Sequence, residues 1–305
     1  PGVFVTAGDG DSRDADASDP GDFVMEGDVG YGCTSADVGD LSSWHGTETI
    51  GLIGAVTDNS GGIASVGRNV LVLPVRVLGK CGGNDSDIIA AMLWAAGLSV
   101  PGVPLNAHKA RVINLSLGGV GACSQAYVDA VAQVNAQGTV VVASAGNSAG
   151  HAVSTPANCP GVIGVAGLRY VGTKVGFSDI GTEISISAPG GNCINITSGS
   201  SCLYPIMTTS NSGKTTPISN AAGGSVYTDS FKAPSIGTSF SAPLVSGTVA
   251  LMLSVQPGLT PVQVKSILQS SANPFPTTGG TDSAVIATAS PAANLPVVIN
   301  ASESS

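Results

Sequence analysis

Thr139-Val140-Val141-Val142-Ala143-Ser144-Ala145-Gly146-Asn147 is the stretch on which the fold turns. Thr139–Ala145 is an apolar run without the alternation of a half-exposed strand, so it reads as a strand buried on both faces. Ser124–Ala136 before it has helical spacing and stops ahead of Gly138, an ordinary helix terminator. Working outward, Arg111–Leu117, Val162–Val165 and Ile184–Ser187 read as further strands, and Asp85–Leu98 and Thr260–Ser270 as helices. Asn69–Leu78 is another nearly unbroken apolar run and is expected to be a buried strand. Ser239–Val255 is apolar all round, which predicts a buried helix. A helical pattern also begins at His45, while residues 1–44, rich in Asp, Gly and Ser, read mostly as loop. Strands alternating with helices imply an α/β fold: a three-layer, mainly parallel central sheet with helices on both faces. Functional groups in such folds gather beyond the carboxyl ends of the strands.

Composition narrows the function. The 305 residues are 43% hydrophobic and only 10% charged, with 42 glycines and a net charge of −9. Residues 1–50 carry 11 of the 20 acidic residues and one base, Arg13. An acidic chain without a basic stripe argues against nucleic acid as a partner. No run is expected to approach the 18 or so apolar residues of a membrane span. Six dispersed cysteines, Cys33, Cys81, Cys123, Cys159, Cys193 and Cys202, lack the short spacing of a zinc or redox site. They fit disulfides formed in an oxidising compartment, with 15 connectivities open. No linker or repeat divides the chain, so residues 1–305 are read as a single domain.

Three short stretches carry chemistry together. Ser43-Trp44-His45-Gly46-Thr47 opens a helix, Ala143-Ser144-Ala145-Gly146-Asn147 follows a buried strand, and Gly237-Thr238-Ser239-Phe240-Ser241-Ala242-Pro243 begins the buried helix. A serine hydroxyl attacks an acyl carbon only when an imidazole removes its proton. A helix N-terminus offers backbone N–H groups where an oxyanion forms, and a side-chain amide after a strand can add a second fixed donor. Each stretch alone is ordinary: a helix cap, a turn residue, an N-cap serine. Their joint occurrence is what points to acyl transfer.

These stretches resemble the His, oxyanion-Asn and Ser motifs of the subtilisin family, over about residues 44 to 272. The resemblance implies a secreted serine endopeptidase acting as a monomer on protein or peptide substrates. His45 would be general base, Asn147 oxyanion donor and Ser239 nucleophile. Asn114-Leu115-Ser116-Leu117-Gly118-Gly119 is similar to the family's substrate-binding strand, so Leu115, Leu117, Gly118, Ala145 and Gly146 would line the specificity pocket. Glu48 stands where the family commonly has a second His, and His108 and His151 match no catalytic position. The pairing implied by the resemblance and by sequence order is Cys33–Cys81, Cys123–Cys159 and Cys193–Cys202. The acidic stretch from Asp9 to Asp22 resembles a branch of secreted Gram-negative proteases that includes those of the footrot pathogen. Structural calcium is the expected cofactor, with Asp9, Asp11, Asp14, Asp16 and Asp22 as ligands of the hard-oxygen type that this ion takes.

The family's third catalytic residue is an aspartate on a strand ending in Asp-Ser/Thr-Gly, and no such string occurs in the 305 residues. The chain is expected to lack an N-terminal segment bearing that strand, and its own upstream segment or propeptide is an expected partner. The competing readings are a catalytically impaired homologue and an α/β-hydrolase esterase. The second is disfavoured because His precedes Ser here and Gly-x-Ser-x-Gly is absent around Ser239.

Overall fold

The computed structural model describes residue 13 and residues 16–193, 204–228 and 235–276. Four parallel strands form the central sheet: β1 (Val112–Leu115), β2 (Val140–Ser144), β3 (Ile163–Leu168) and β4 (Ile184–Pro189), side by side in that order. Val112 is opposite Val140, Val142 opposite Ile163, and Val165 opposite Ile186 after a register shift at Gly164 and Val165. Each strand points the same way, so the loops after β1 and β2 emerge at one end of the sheet.

Side-chain alternation sends β2 to two cores. Val141 and Ala143 join Ile113 and Leu115 under α2 (Asp85–Ala95) and α3 (Gln125–Ala136), where Met92, Tyr127, Val131 and Val134 are buried. Val140 and Val142 face the opposite way, against Val245 and Val249 of α4 (Thr238–Val255) and Val264 and Leu268 of α5 (Pro261–Ser271). The result is the expected three-layer α/β architecture. Local sequence sets the helix ends. Ser124 Oγ accepts from Tyr127 N to cap α3, and Gly138 beyond its end adopts φ +76°. A Thr260/Gln263 capping box with Pro261 in the first position starts α5.

Helix α4 is long and apolar enough to cross a membrane by length and composition. That corrects the expectation that no segment reaches this threshold. It is a core helix, with Phe240, Ala242, Val245 and Val249 buried. Helix α1 (His45–Gly54) packs against α4 and against the hairpin of β5 (Thr209–Asn211) and β6 (Ser225–Tyr227). The hairpin is polar and short, which is why periodicity did not predict it.

The second apolar run is not a strand. Residues 70–78 have no regular secondary structure, Leu71 is fully exposed, and Leu73 and Val75 are exposed as well. Composition favours a strand here, but a strand needs a ladder partner, and Pro74 removes one N–H from the middle of the run. Among the described residues β1 pairs only with β2, so it is an edge of the sheet.

Two disulfides match the expected pairing: Cys33–Cys81 and Cys123–Cys159, each with Cα atoms 5.2 Å apart. Cys193 is also disulfide-bonded, and its expected partner Cys202 lies outside the described residues.

Candidate active site

Ser239 is the second residue of α4, directly above the end of the sheet. Gly237 precedes the helix with φ +147°, and a Cβ there would meet the Asn147 side chain at 3.4 Å. Thr238 ties the two loops together. Its N–H and Oγ1–H both donate to Asn147 Oδ1, at 2.9 and 3.0 Å, and its Oγ1 accepts from Gly146 N at 3.1 Å. With the oxygen of the Asn147 amide occupied in this way, its Nδ2 lies beside Gly237, 3.4 Å from where a Cβ there would sit. Gly146 supports the turn with φ +110°, where a Cβ would meet Asp179 Oδ2 at 2.3 Å. Asp179, 1% exposed, accepts from Ser148 N at 2.9 Å, and its own N–H donates to Gly146 O.

A second network fixes Ser239 to β1. In a helix the N–H of residue 243 would donate to the carbonyl of residue 239, but Pro243 has no N–H. Ser116 Oγ donates to Ser239 O instead, at 2.6 Å, and itself accepts from Asn114 Nδ2 at 2.9 Å. Ser246 Oγ, two turns after Ser239 along α4, donates to Asn114 Oδ1 at 2.8 Å. Ser239 Oγ points to Ser116 O at 3.3 Å.

His45 opens α1 and reaches the same place from the side. Its ring meets Phe240, the neighbour of Ser239, edge-on with centroids 5.8 Å apart. Trp44 before it holds a left-handed conformation at φ 51°, a strained choice for a bulky residue. That conformation is secured by Trp44 Nε1–H donating to Gly213 O at 2.6 Å. Asp22 accepts from both Ser43 N and Ser43 Oγ at 2.7 Å and so steadies the approach to the helix. Burial pushes the His45 pKa below its ordinary value, opposed by the negative charge of Asp22. Among the described residues no side chain is hydrogen-bonded to the imidazole.

A cleft of about 580 Å³ adjoins Ser239, with Leu117, Gly118, Gly146 and Asn147 in its lining. Leu115 and Ala145 are elsewhere: both are buried in the core under α2 and α3. Position along the strand explains Leu115: it is the last residue of β1, whereas Leu117, on the same face and packed against the same core, lies beyond the strand end where the cleft opens. At the far end Tyr127 Oη donates to Asp85 Oδ1 at 2.9 Å, and burial raises the Tyr127 pKa. Sequence reasoning passed over Ser116, Thr238 and Asp179, which hold the site together through bonds between distant segments. Glu48 was noticed only as a departure.

Of the expected calcium ligands, Asp9, Asp11 and Asp14 lie outside the described residues. Asp16 accepts from Ser18 N at 2.9 Å, and its hydrogen bonds to Ser18 hold its carboxyl below the usual range. Among the described residues no three metal-binding side chains cluster.

The profile of the subtilase family matches residues 25–292, and this chain belongs to that family. The extracellular protease of Xanthomonas campestris pv. campestris is 43% identical over 274 residues, covering 89% of this chain and 43% of the relative. The extracellular basic protease of Dichelobacter nodosus is 37% identical over 274 residues, covering 88% and 42%. The chain thus spans less than half the length of these two relatives. A solved protease of Pseudoalteromonas arctica superposes with a TM-score of 0.80 at 42% identity, covering 90% of this chain and 76% of that one. A cold-adapted subtilisin-like serine proteinase is more distant, at TM-score 0.53 and 29% identity, covering 76% and 68%.

Proposed function

We propose that this chain is the catalytic part of a secreted serine endopeptidase, cleaving peptide bonds through an acyl-enzyme on Ser239. The observation that carries the reading is the double hold of Thr238 on Asn147 Oδ1, which turns the amide NH2 toward the start of α4. Ser239 Oγ attacks the scissile carbonyl while His45 takes its proton. The oxyanion is met by Asn147 Nδ2 and by the Ser239 N–H, an unpaired donor at a helix start. His45 then returns the proton to the leaving amine, and water repeats the sequence to release the acyl group. Depressing the His45 pKa favours the neutral imidazole that a base must be. The Ser239 hydroxyl first turns from Ser116 O to the imidazole, a tightening usual between free and substrate-bound sites. The substrate lies along Leu117 and Gly118, and its side chain enters the cleft beside Gly146.

His45 also requires a carboxylate on its other ring nitrogen to fix the tautomer, an effect of roughly 10⁴ in turnover. Asp22 acts on the ring by charge alone, since Ser43 takes both its oxygens. We place the orienting carboxylate on a strand seated at the open edge of β1. The exposed run at 70–78 supports this, because apolar surface of that kind marks an interaction site. Structural calcium would be held by the acidic loop, where carboxylates such as Asp16 would supply hard oxygen donors and the ion would offset their mutual repulsion. Secretion is supported by the disulfides and by the names of the relatives.

A fluorophosphonate probe tests the assignment. Ser239 is expected to be the serine labelled, Ser239→Ala to abolish labelling, and the fully assembled protein to react several orders of magnitude faster than a preparation without the orienting strand. Absence of labelling in every preparation refutes the reading.

A further inference from the structure

Glu48 is a buried acid that the reaction as described does not use. It lies one turn after His45 on α1 and is only 9% exposed. Its carboxyl is held from two directions: Ser210 Oγ of β5 donates to Oε1 at 3.1 Å, and Ser235 Oγ donates to Oε2 at 3.2 Å. Ser235 is itself buried and stands four residues before Ser239. Its carbonyl accepts from Ile206 N at 2.9 Å, so it is a fixed point. The backbone of α1 is tied to the same place, with Thr208 Oγ1 donating to Glu48 O at 2.6 Å and Thr209 Oγ1 to Thr47 O at 2.8 Å. No other described side chain bonds the base-bearing helix to the segment that delivers the nucleophile.

We infer that Glu48 is a positioning residue: its carboxyl, gripped by Ser210 and Ser235, sets the distance between the His45 helix and the Ser239 segment. The inference rests on the proposed roles of His45 and Ser239. A carboxyl suits the task because two oxygens can accept from two hydroxyls on separate segments, which an aliphatic side chain cannot do. Small displacements of a reacting pair have large kinetic effects, up to about 10²-fold per ångström.

The clamp changes with protonation. Ionised, the carboxyl accepts from both serines; neutral, it accepts from one and donates to the other. Burial raises the Glu48 pKa to about 7, while the two serine hydrogen bonds pull it down. Among the described residues the elements packed on α1 add little charge: α4 and β5 carry no titratable side chain, β6 has Tyr227 opposite Thr209, and α1 itself offers only His45. Asp22 acts on His45 from the other side.

Kinetics on the assembled protein test this, with wild type as the internal control. If wild type fails to label with a fluorophosphonate, the proposed function fails, and Glu48 is not at fault. Given labelling, Glu48→Ala is expected to lower kcat about ten-fold with KM within about two-fold, since positioning acts on the reacting atoms and not on substrate binding. Glu48→Gln, which keeps one acceptor and one donor, is expected to match wild type at pH 6 and to lose the wild-type change in kcat near pH 7 that the His45 ionisation does not account for. If Glu48→Ala does not fold, Ser210→Ala/Ser235→Ala removes the grip with the carboxyl in place, and the same loss of kcat is expected. Wild-type kcat and an unchanged pH profile in Glu48→Gln and in the double variant overturn the inference, whatever happens to their melting temperatures.

Discussion

The two halves of the candidate site are built differently. The Ser239 half is anchored to the sheet: Asn147 follows buried β2, and Thr238 and Ser239 open α4 but bond to Asn147, Gly146 and Ser116 beyond the strand ends. The base half is not. His45 rides on a helix that reaches the site through a strained tryptophan, a buried glutamate and a polar hairpin, and its imidazole has no hydrogen-bonded partner among the described residues. A parallel sheet can preorganise an oxyanion site with its own loops, whereas the base depends on contacts that lie off the sheet.

The comparison is broken most directly at Asn147. Asn147→Ala removes one of two oxyanion donors and is expected to lower kcat about 10²–10³-fold with the fold intact, as read by steady-state kinetics and circular dichroism. A loss confined to KM would mean that the Ser239 half is not preorganised for the oxyanion.

Smaller effects probe the base half. If calcium orders the acidic loop that ends in Asp22, excess chelator is expected to lower the unfolding temperature. Calcium at 100 times its Kd should then contribute about 2.7 kcal/mol by mass action. Identical melting curves in chelator and in millimolar calcium would remove the ion from the account.

Trp44→Phe keeps an aromatic ring but leaves the carbonyl of Gly213 without its donor. A cost of about 1–3 kcal/mol is expected from denaturant midpoints. An unchanged midpoint would show that the left-handed turn before His45 does not need the indole bond.

The base half also predicts a pH dependence of stability at Glu48. Its pKa is raised from 4.5 to about 7 in the fold, so the folded state binds more protons than the unfolded state in that window. Stability from this group is full below pH 4.5 and is lost as pH rises through about 7. Glu48→Gln is expected to flatten that fall in urea titrations from pH 4.5 to 8.

The sheet and its helices were legible because β2 and its neighbours are apolar on both faces, a pattern few other structures allow. The three stretches around His45, Asn147 and Ser239 were legible as local motifs. Residues 70–78 misled for the same reason that β2 did not: apolar composition reports a wish to be buried, not the presence of a partner. Thr238, Ser116 and Asp179 were illegible because their roles are bonds across 31 to 123 positions of sequence, which periodicity cannot register. Leu115 and Ala145 sit in the core while Leu117 and Gly146, one or two residues further on, reach the cleft, and a motif does not say where along it the strand ends.

Pro243 stands six residues into α4, where its ring excludes a main-chain donor from the Ser239 carbonyl. The Ser239 main chain is therefore referenced to the sheet as well as to the helix that bears it. Ser246, further along α4, is bonded to the same Asn114 that supports Ser116, so the helix and the Ser239 carbonyl share one datum on β1. A residue valued elsewhere for ending helices serves in this chain as a keyhole, opening a helical carbonyl to a hydroxyl that belongs to the sheet.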